Sequence, residues 1–209
     1  ALLLWIVGAL TPLEFISWDW RASYFAAPQE STAAIRIIAL DQKSLDWGSR
    51  ENGLSWPWPR QAYEPLLAFC KRAGARVVAL DMLFSEPSLY GVADDQSLGV
   101  ALAENAPVVV GYSAGIQPHD RFEGVIPPVL AVAGLETWRN GSTNSGQRNF
   151  ILPVAEVRDN AALLADVSAM PDRDGIFRRA PLFHLAPAGA LPGLALAAFL
   201  AGEPEFPTL

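Results

Sequence analysis

The run Ile35-Arg-Ile-Ile-Ala-Leu-Asp41 recurs, little changed, as Ala75-Arg-Val-Val-Ala-Leu-Asp81. Both runs are apolar at odd and even positions, carry β-branched residues and close on an aspartate. That pattern predicts a short strand covered on both faces, the mark of a parallel sheet. Between the runs, Pro59 to Ala73 shows helical spacing, and Gly74 follows as the C′ residue. Pro65 places the start of regular helix near Glu64, with Pro65 at N1. Strand, helix and strand form a βαβ unit. Such crossovers are right-handed, so the two runs are expected as parallel neighbours.

The same rhythm continues. Asp94 to Asn105 reads as a helix with acids in its first turn, and Pro107 to Gly111 as a third parallel strand. Residues 113–147, rich in Gly, Pro, Asn, Ser and Thr, are expected as loops with one short helix near Pro128–Ala133. A strand is expected near Leu164–Ala169. A tight turn at Pro171–Gly175 with Gly175 at positive φ should follow, then a strand at Ile176–Leu185 and a last helix from Pro192 to Ala201. At the other end, Thr11-Pro-Leu-Glu14 has the form of a capping box opening a helix over 12–25. The fold class is therefore α/β: a three-layer domain with a mainly parallel central sheet, an antiparallel C-terminal portion and an N-terminal helix. Two segments are expected, a helical one over 1–27 and a single α/β domain over 28–209.

Composition narrows the function. Of 209 residues, 51% are hydrophobic and 18% charged, against roughly 25% charged in an average soluble domain. This excludes intrinsic disorder. Acidic residues outnumber basic ones by 22 to 15, so a general nucleic-acid binder, which needs a basic surplus, is not expected. One cysteine, Cys70, and two histidines, His119 and His184, supply neither a disulfide nor a zinc pattern. Cys70 reads as a small hydrophobe on the apolar face of its helix, beside Tyr63, Leu66 and Leu67. Ala1–Leu10 is apolar but too short by itself for the ~20 residues of a membrane span.

No phosphate loop, dinucleotide fingerprint, nucleophile elbow or metalloprotease helix is present. No catalytic residue, metal ligand or cofactor is expected. Asp41 and Asp81 draw interest because ligands of open parallel sheets bind outside the carboxyl ends of strands. Two acids there suit a cation, a basic ligand or a shared proton, and Glu86, Asp94 and Asp95 could join them. The alternative is that each carboxylate caps the loop or helix after it. Trp56-Pro-Trp-Pro-Arg60 is stiff and extended. Its tryptophans suit a ligand platform; the alternative is that they plug the sheet while Arg60 pairs with Asp41 or Asp81.

Taken in order, these elements resemble the CHASE (type 2) family of extracellular sensor domains. The matching pieces are Glu14…Asp19-Trp-Arg21, Ile37-Ile-Ala-Leu-Asp41-x-x-Ser44, Trp56-Pro-Trp-Pro-Arg60 and Ala73-Gly-Ala75. They continue with Val78-Ala-Leu-Asp81-Met-Leu-Phe84-Ser-Glu86, Asp94, Leu98, and Pro171-Asp-Arg-Asp174-Gly-Ile-Phe-Arg-Arg179-Ala-Pro-Leu182. Residues 113–150 carry no landmark of the family. The resemblance implies an extracytoplasmic, periplasmic or extracellular sensor of a membrane-bound bacterial receptor, signalling to an intracellular cyclase or kinase. It also implies flanking transmembrane helices, with 1–27 membrane-proximal, and a homodimer. The ligand is an unknown small molecule or ion, for which Asp41, Ser44, Trp56, Trp58, Arg60, Asp81 and Glu86 are the candidate residues. The competing readings are a cell-envelope protein-interaction module and an α/β enzyme using the aspartate pair.

Overall fold

The computed structural model describes residues 10–27, 30–105, 107–115, 149–186 and 189–203. The first nine residues of the apolar lead-in, the short helix expected near 128–133 and the last six residues lie outside them. The chain divides into two compact units, Ala1–Gly53 and Leu54–Leu209.

The first unit is helical: α1 Thr11–Phe25, α2 Glu30–Ala33 and α3 Gln42–Asn52. Helix α1 matches the expectation in extent but not in its start. Leu10 is already in the right-handed helical conformation and serves as N-cap, and its carbonyl accepts from the Glu14 N–H at 3.0 Å. Thr11 therefore lies inside the helix, and no capping box forms. Residues 35–41 are the larger correction. They form no strand and have no ladder partner among the described residues. Ile35, Ile37, Ile38 and Leu40 are exposed, Ile37 to 88%. A strand is stabilised by pairing with a neighbour, and apolar alternation without one does not make it. Helix α3 directly after this segment was not expected from the sequence.

The second unit holds the sheet. A 3₁₀ turn, Arg60–Tyr63, leads into α4 Glu64–Arg72, with Pro65 in the first helical turn as expected. Helix α4 ends in a Schellman motif. The Gly74 N–H bonds the Lys71 carbonyl and the Ala75 N–H the Cys70 carbonyl, both at 3.0 Å, with Gly74 at φ +79°. Ala75 is thereby committed to the helix end. The following strand, β1, accordingly runs Val78–Leu83 rather than 75–81. Next come α5 Val92–Glu104, β2 Val108–Gly115, β3 Asn149–Ile151, α6 Ala155–Arg158 and β4 Leu163–Asp166. A hairpin, β5 Phe183–Ala186 and β6 Gly189–Pro192, precedes α7 Leu194–Gly202.

Strand β2 pairs parallel with β1 over 108–111 and with β4 over 109–112, then antiparallel with β3 over 113–115. The βαβ unit is thus β1-α5-β2, one element later than the sequence pattern suggested. Strands β5 and β6 pair antiparallel. The strand expected over 176–185 is confined to 183–186, because residues 172–179 are held in a side-chain-bonded turn instead.

The alternation of β2 builds two cores. Val108, Val110, Tyr112 and Ala114 join Tyr63, Leu67, Leu98 and Leu102 on one side. Val109 meets Ala165 and Ala197 on the other. Helices α4 and α5 thus cover one face and α7 the other, which gives the expected three layers. Glycine permits the closest approach. A Cβ on Gly99 of α5 would lie 2.4 Å from the Glu156 carbonyl oxygen, whereas one on Gly202 would meet Val77 at an ordinary 3.6 Å.

Gly99→Ala should therefore destabilise the domain by about 1–3 kcal/mol despite the better helix propensity of alanine. Gly202→Ala should cost nothing measurable. Paired urea unfolding curves test this, and equal midpoints for the two variants would refute the close-packing argument.

Candidate functional site

The prolines of Trp56-Pro-Trp-Pro-Arg60 set the backbone, and the Trp56–Pro57 peptide is cis. The Trp56 and Trp58 rings meet edge to face, with centroids 6.4 Å apart. Trp56 is exposed and Trp58 half-buried. The indole N–H of Trp58 is buried and has no acceptor among the described residues.

Arg60 turns inward at the next step and is only 8% exposed. Its guanidinium forms an ion pair with Asp95, which is 2% exposed, and donates to the Glu86 carbonyl. The guanidinium also lies 5.3 Å from the centre of the Phe84 ring, whose neighbour Tyr63 packs edge-on at 5.7 Å. Asp94 completes the arrangement through the backbone. Its carboxylate accepts the Arg60 N–H at 2.7 Å and the Gln61 N–H at 2.9 Å, so a side chain from α5 caps the start of the 3₁₀ turn. The Ser88 hydroxyl donates to Asp94 and the Ser88 N–H to Asp95 at 3.1 Å. Three segments are therefore clamped together: the Trp-Pro loop, the loop after β1, and the first turn of α5.

The electrostatics follow from these contacts. Burial pushes the Asp94 carboxyl upward. The Ser88 hydroxyl, the Gln61 and Arg60 N–H groups and the Arg60 charge together outweigh it, and the group ends below the usual carboxylate value. Burial raises the Tyr63 phenol, and the Arg60 charge opposes that shift only in part.

The sequence candidates are placed as follows. Arg60 pairs with Asp95, not with Asp41 or Asp81. Asp41 and Ser44 do come together, as the N-cap of α3. The Ser44 N–H and hydroxyl both donate to the same Asp41 oxygen at 2.9 Å, and the backbone bond chiefly lowers the Asp41 pKa. Asp81 lies in the other unit, exposed, at the register shift between Leu80 and Leu83. It is inside β1 and not at its carboxyl end. Glu86 is exposed; its backbone, not its carboxylate, serves the clamp. Arg60 and the Glu86 backbone are thus brought together, while Trp56 and Trp58 contact each other in the loop leading to Arg60.

Two polar arrangements had weaker sequence signals. At the carboxyl end of β4, buried Asp166 accepts the Ala114 N–H at 3.2 Å and the Ser168 N–H at 2.8 Å, while Ser168 and Ser113 hydroxyls lie 3.1 Å apart. The Asp-x-Ser spacing is a recognisable turn signal. In the 172–179 turn, Asp174 takes a two-pronged contact from Arg178 at 2.9 and 2.8 Å, which chiefly lowers its pKa. Asp172 is shared by Arg178 and Arg179, and Gly175 has φ +82°, as expected of the turn. Ser88 had no sequence signal. Among the described residues no group of three His, Cys, Asp or Glu side chains could hold a metal ion. None of their helices is long and apolar enough to cross a membrane.

Removing one partner of the buried pair strands the other's charge. Asp95→Ala and Arg60→Ala should each cost about 3–5 kcal/mol, and the double variant much less than their sum. Additive losses in denaturant unfolding would show that the pair is not coupled.

The lowered Asp94 pKa also fixes a pH dependence. A carboxyl depressed in the folded state contributes stability above its unfolded value of about 3.9, and that stability is lost as pH falls through the folded value. Between about pH 5 and pH 2 the wild-type melting temperature should fall more steeply than that of Asp94→Asn. Parallel slopes would remove Asp94 as the cause.

A family model described as a CHASE2 domain matches residues 1–207. No curated protein and no solved structure matches the chain.

Proposed function

The chain belongs to the CHASE2 domain family of extracellular sensory domains, and from that premise we propose that it is the signal-binding part of a membrane-bound bacterial receptor. Sensing, not catalysis, is what the family does. The finer reading is a periplasmic domain anchored by flanking transmembrane helices. Ligand binding changes its conformation, and the change passes through the membrane-proximal helix to an intracellular cyclase or kinase. The family match along almost the entire chain carries this reading.

The chemistry of the second unit supports a division of labour. The ionic and hydrogen-bonding groups of Arg60, Asp94 and Asp95 are taken up by one another and by the segments they hold, so we assign them to positioning. Trp56, Trp58 and Glu86 are the proposed ligand contacts, on loops fixed by that clamp. A rigid platform limits the ordering cost of binding. Asp81 is exposed nearby in sequence and is proposed as a further contact. Asp41 and Ser44 are assigned to capping α3. The ligand must bind two states of the domain unequally, because equal binding shifts no equilibrium.

A second reading, a cell-envelope module that binds protein, is favoured by the exposed apolar residues 35–40. A thermal-shift screen against small metabolites, inorganic ions and metal ions separates the two. A compound binding only the native state stabilises by about 2.7 kcal/mol at 100 times its Kd. Trp56→Ala and Glu86→Gln should abolish the shift while leaving the unliganded melting temperature within about 2 °C. A screen without hits, with a protein co-purifying stoichiometrically, would favour the second reading.

A further inference from the structure

An asparagine followed by glycine carries an electrophile and a nucleophile within reach of each other. Asn52-Gly53 is such a pair. Its side-chain amide carbon can close a five-membered ring with the next backbone nitrogen, and glycine gives that nitrogen the most freedom. Asn52 closes α3, and Gly53 is its C-cap in the left-handed conformation, φ +63°. Residues 49–53 are all exposed, and a Cβ on Gly53 would meet nothing within 4 Å. The side-chain amides of Asn105 and Asn160 are tied to the Ala101 and Glu156 carbonyls, whereas that of Asn52 has no partner among the described residues. One contact opposes reaction: the Gly53 N–H donates to the Gly48 carbonyl. That bond lies in the last turn of a helix whose one buried residue is Gly48, so little burial resists its opening.

Asp174-Gly175 provides the contrast within the same chain. An aspartyl carboxyl can close the same ring. Gly175 also has positive φ and open space around it, and its N–H is likewise bonded, to the Asp172 carbonyl. The side chain is what differs. Arg178 holds both Asp174 oxygens, at 2.9 and 2.8 Å, and this bonding chiefly lowers the Asp174 pKa. A clamped, ionised carboxylate is a poor electrophile; a free neutral amide is a better one.

We infer that Asn52-Gly53 is a site of spontaneous covalent modification. The deprotonated Gly53 nitrogen attacks Asn52 Cγ. The N–Cγ bond forms, the Cγ–Nδ2 bond breaks, and the leaving amide takes up a proton and departs as ammonia. Water then opens the cyclic imide at either carbonyl. One product is aspartate; the other is isoaspartate, whose main chain runs through the former side chain and gains a methylene. Both leave a carboxylate at the C-terminal end of α3, where the helix dipole disfavours an anion. Gly53 and Leu54 are the boundary residues of the two compact units, so the isoaspartate lengthens the link between them. The inference does not depend on the ligand site.

The test ages the whole chain at mildly alkaline pH in heavy-oxygen water, then digests it with trypsin for mass spectrometry. The peptide Glu51–Arg60 should appear as two products, each with one heavy oxygen, and the conversion should speed up with pH. It should exceed conversion at Asn105 and Asn160 by at least about tenfold, since alanine follows each of those. The peptide Asp174–Arg178 should remain unlabelled. Asn52→Gln, which needs a six-membered ring, should abolish the conversion and keep the melting temperature. An unchanged Glu51–Arg60 segment, over a time in which the synthetic peptide of that sequence converts fully, would overturn the inference. So would equal conversion at Asn105 and Asn160, or conversion confined to Asn140, the other asparagine before glycine, which lies outside the described residues.

Discussion

A guanidinium taken from water into a core costs several kcal/mol unless its charge and its donors are met. Arg60 meets them from three directions: the Asp95 carboxylate, the Glu86 carbonyl and the face of Phe84. Asp95 belongs to α5, whereas Phe84 and Glu86 belong to the segment directly after β1. The requirement that no donor be stranded therefore fixes the backbone of the loop after β1 and the entry to α4 at the same time. Asp94 works in the reverse sense, as an anion brought to the N–H groups that a 3₁₀ turn leaves unpaired. Adjacent aspartates in one helical turn divide Arg60 between them, Asp95 pairing with its side chain and Asp94 accepting from its backbone N–H.

This clamp needs a rigid floor, and β2 provides it. Val108, Val109 and Val110 are all fully buried, because helices cover the sheet on both sides. Leu98 and Leu102 of α5 pack on the same face as Tyr63 and Leu67. The helix that carries Asp94 and Asp95 is therefore anchored by its apolar side. The ionic network adds direction, which the hydrophobic core, being non-directional, does not supply.

What the sequence revealed and concealed has a common cause. Helix α4, its proline entry, its glycine exit, α5 and β2 were legible because local chemistry decides them. The twin apolar runs were not equivalent, although they look it. Residues 78–83 find β2 as a partner, whereas residues 35–41 find none among the described residues, and pairing is a non-local event. The start of β1 was misplaced by three residues because Ala75 donates to the Cys70 carbonyl and closes the helix first. Asp81 then falls within the strand, and the symmetry that made Asp41 and Asp81 look like a pair disappears. The Trp-Pro-Trp-Pro-Arg run and the acids at 94 and 95 were visible, but their pairing spans 34 residues of sequence, beyond any spacing rule.

The division between clamp and contact surface bears on how such a domain could transmit a signal. A buried network in which the cation and the anion answer each other resists partial opening, since each half-broken state strands a charge. Such a network suits an element that stays fixed while others move. Conformational change then belongs to parts whose contacts are exchangeable at small cost. The exposed Trp56 ring on the Trp-Pro loop meets that description, since it can pass between water and an apolar partner without breaking an ion pair. In a receptor reading, the fixed clamp serves as the reference against which a ligand's contacts register, and parts of that kind are where the altered state is passed on.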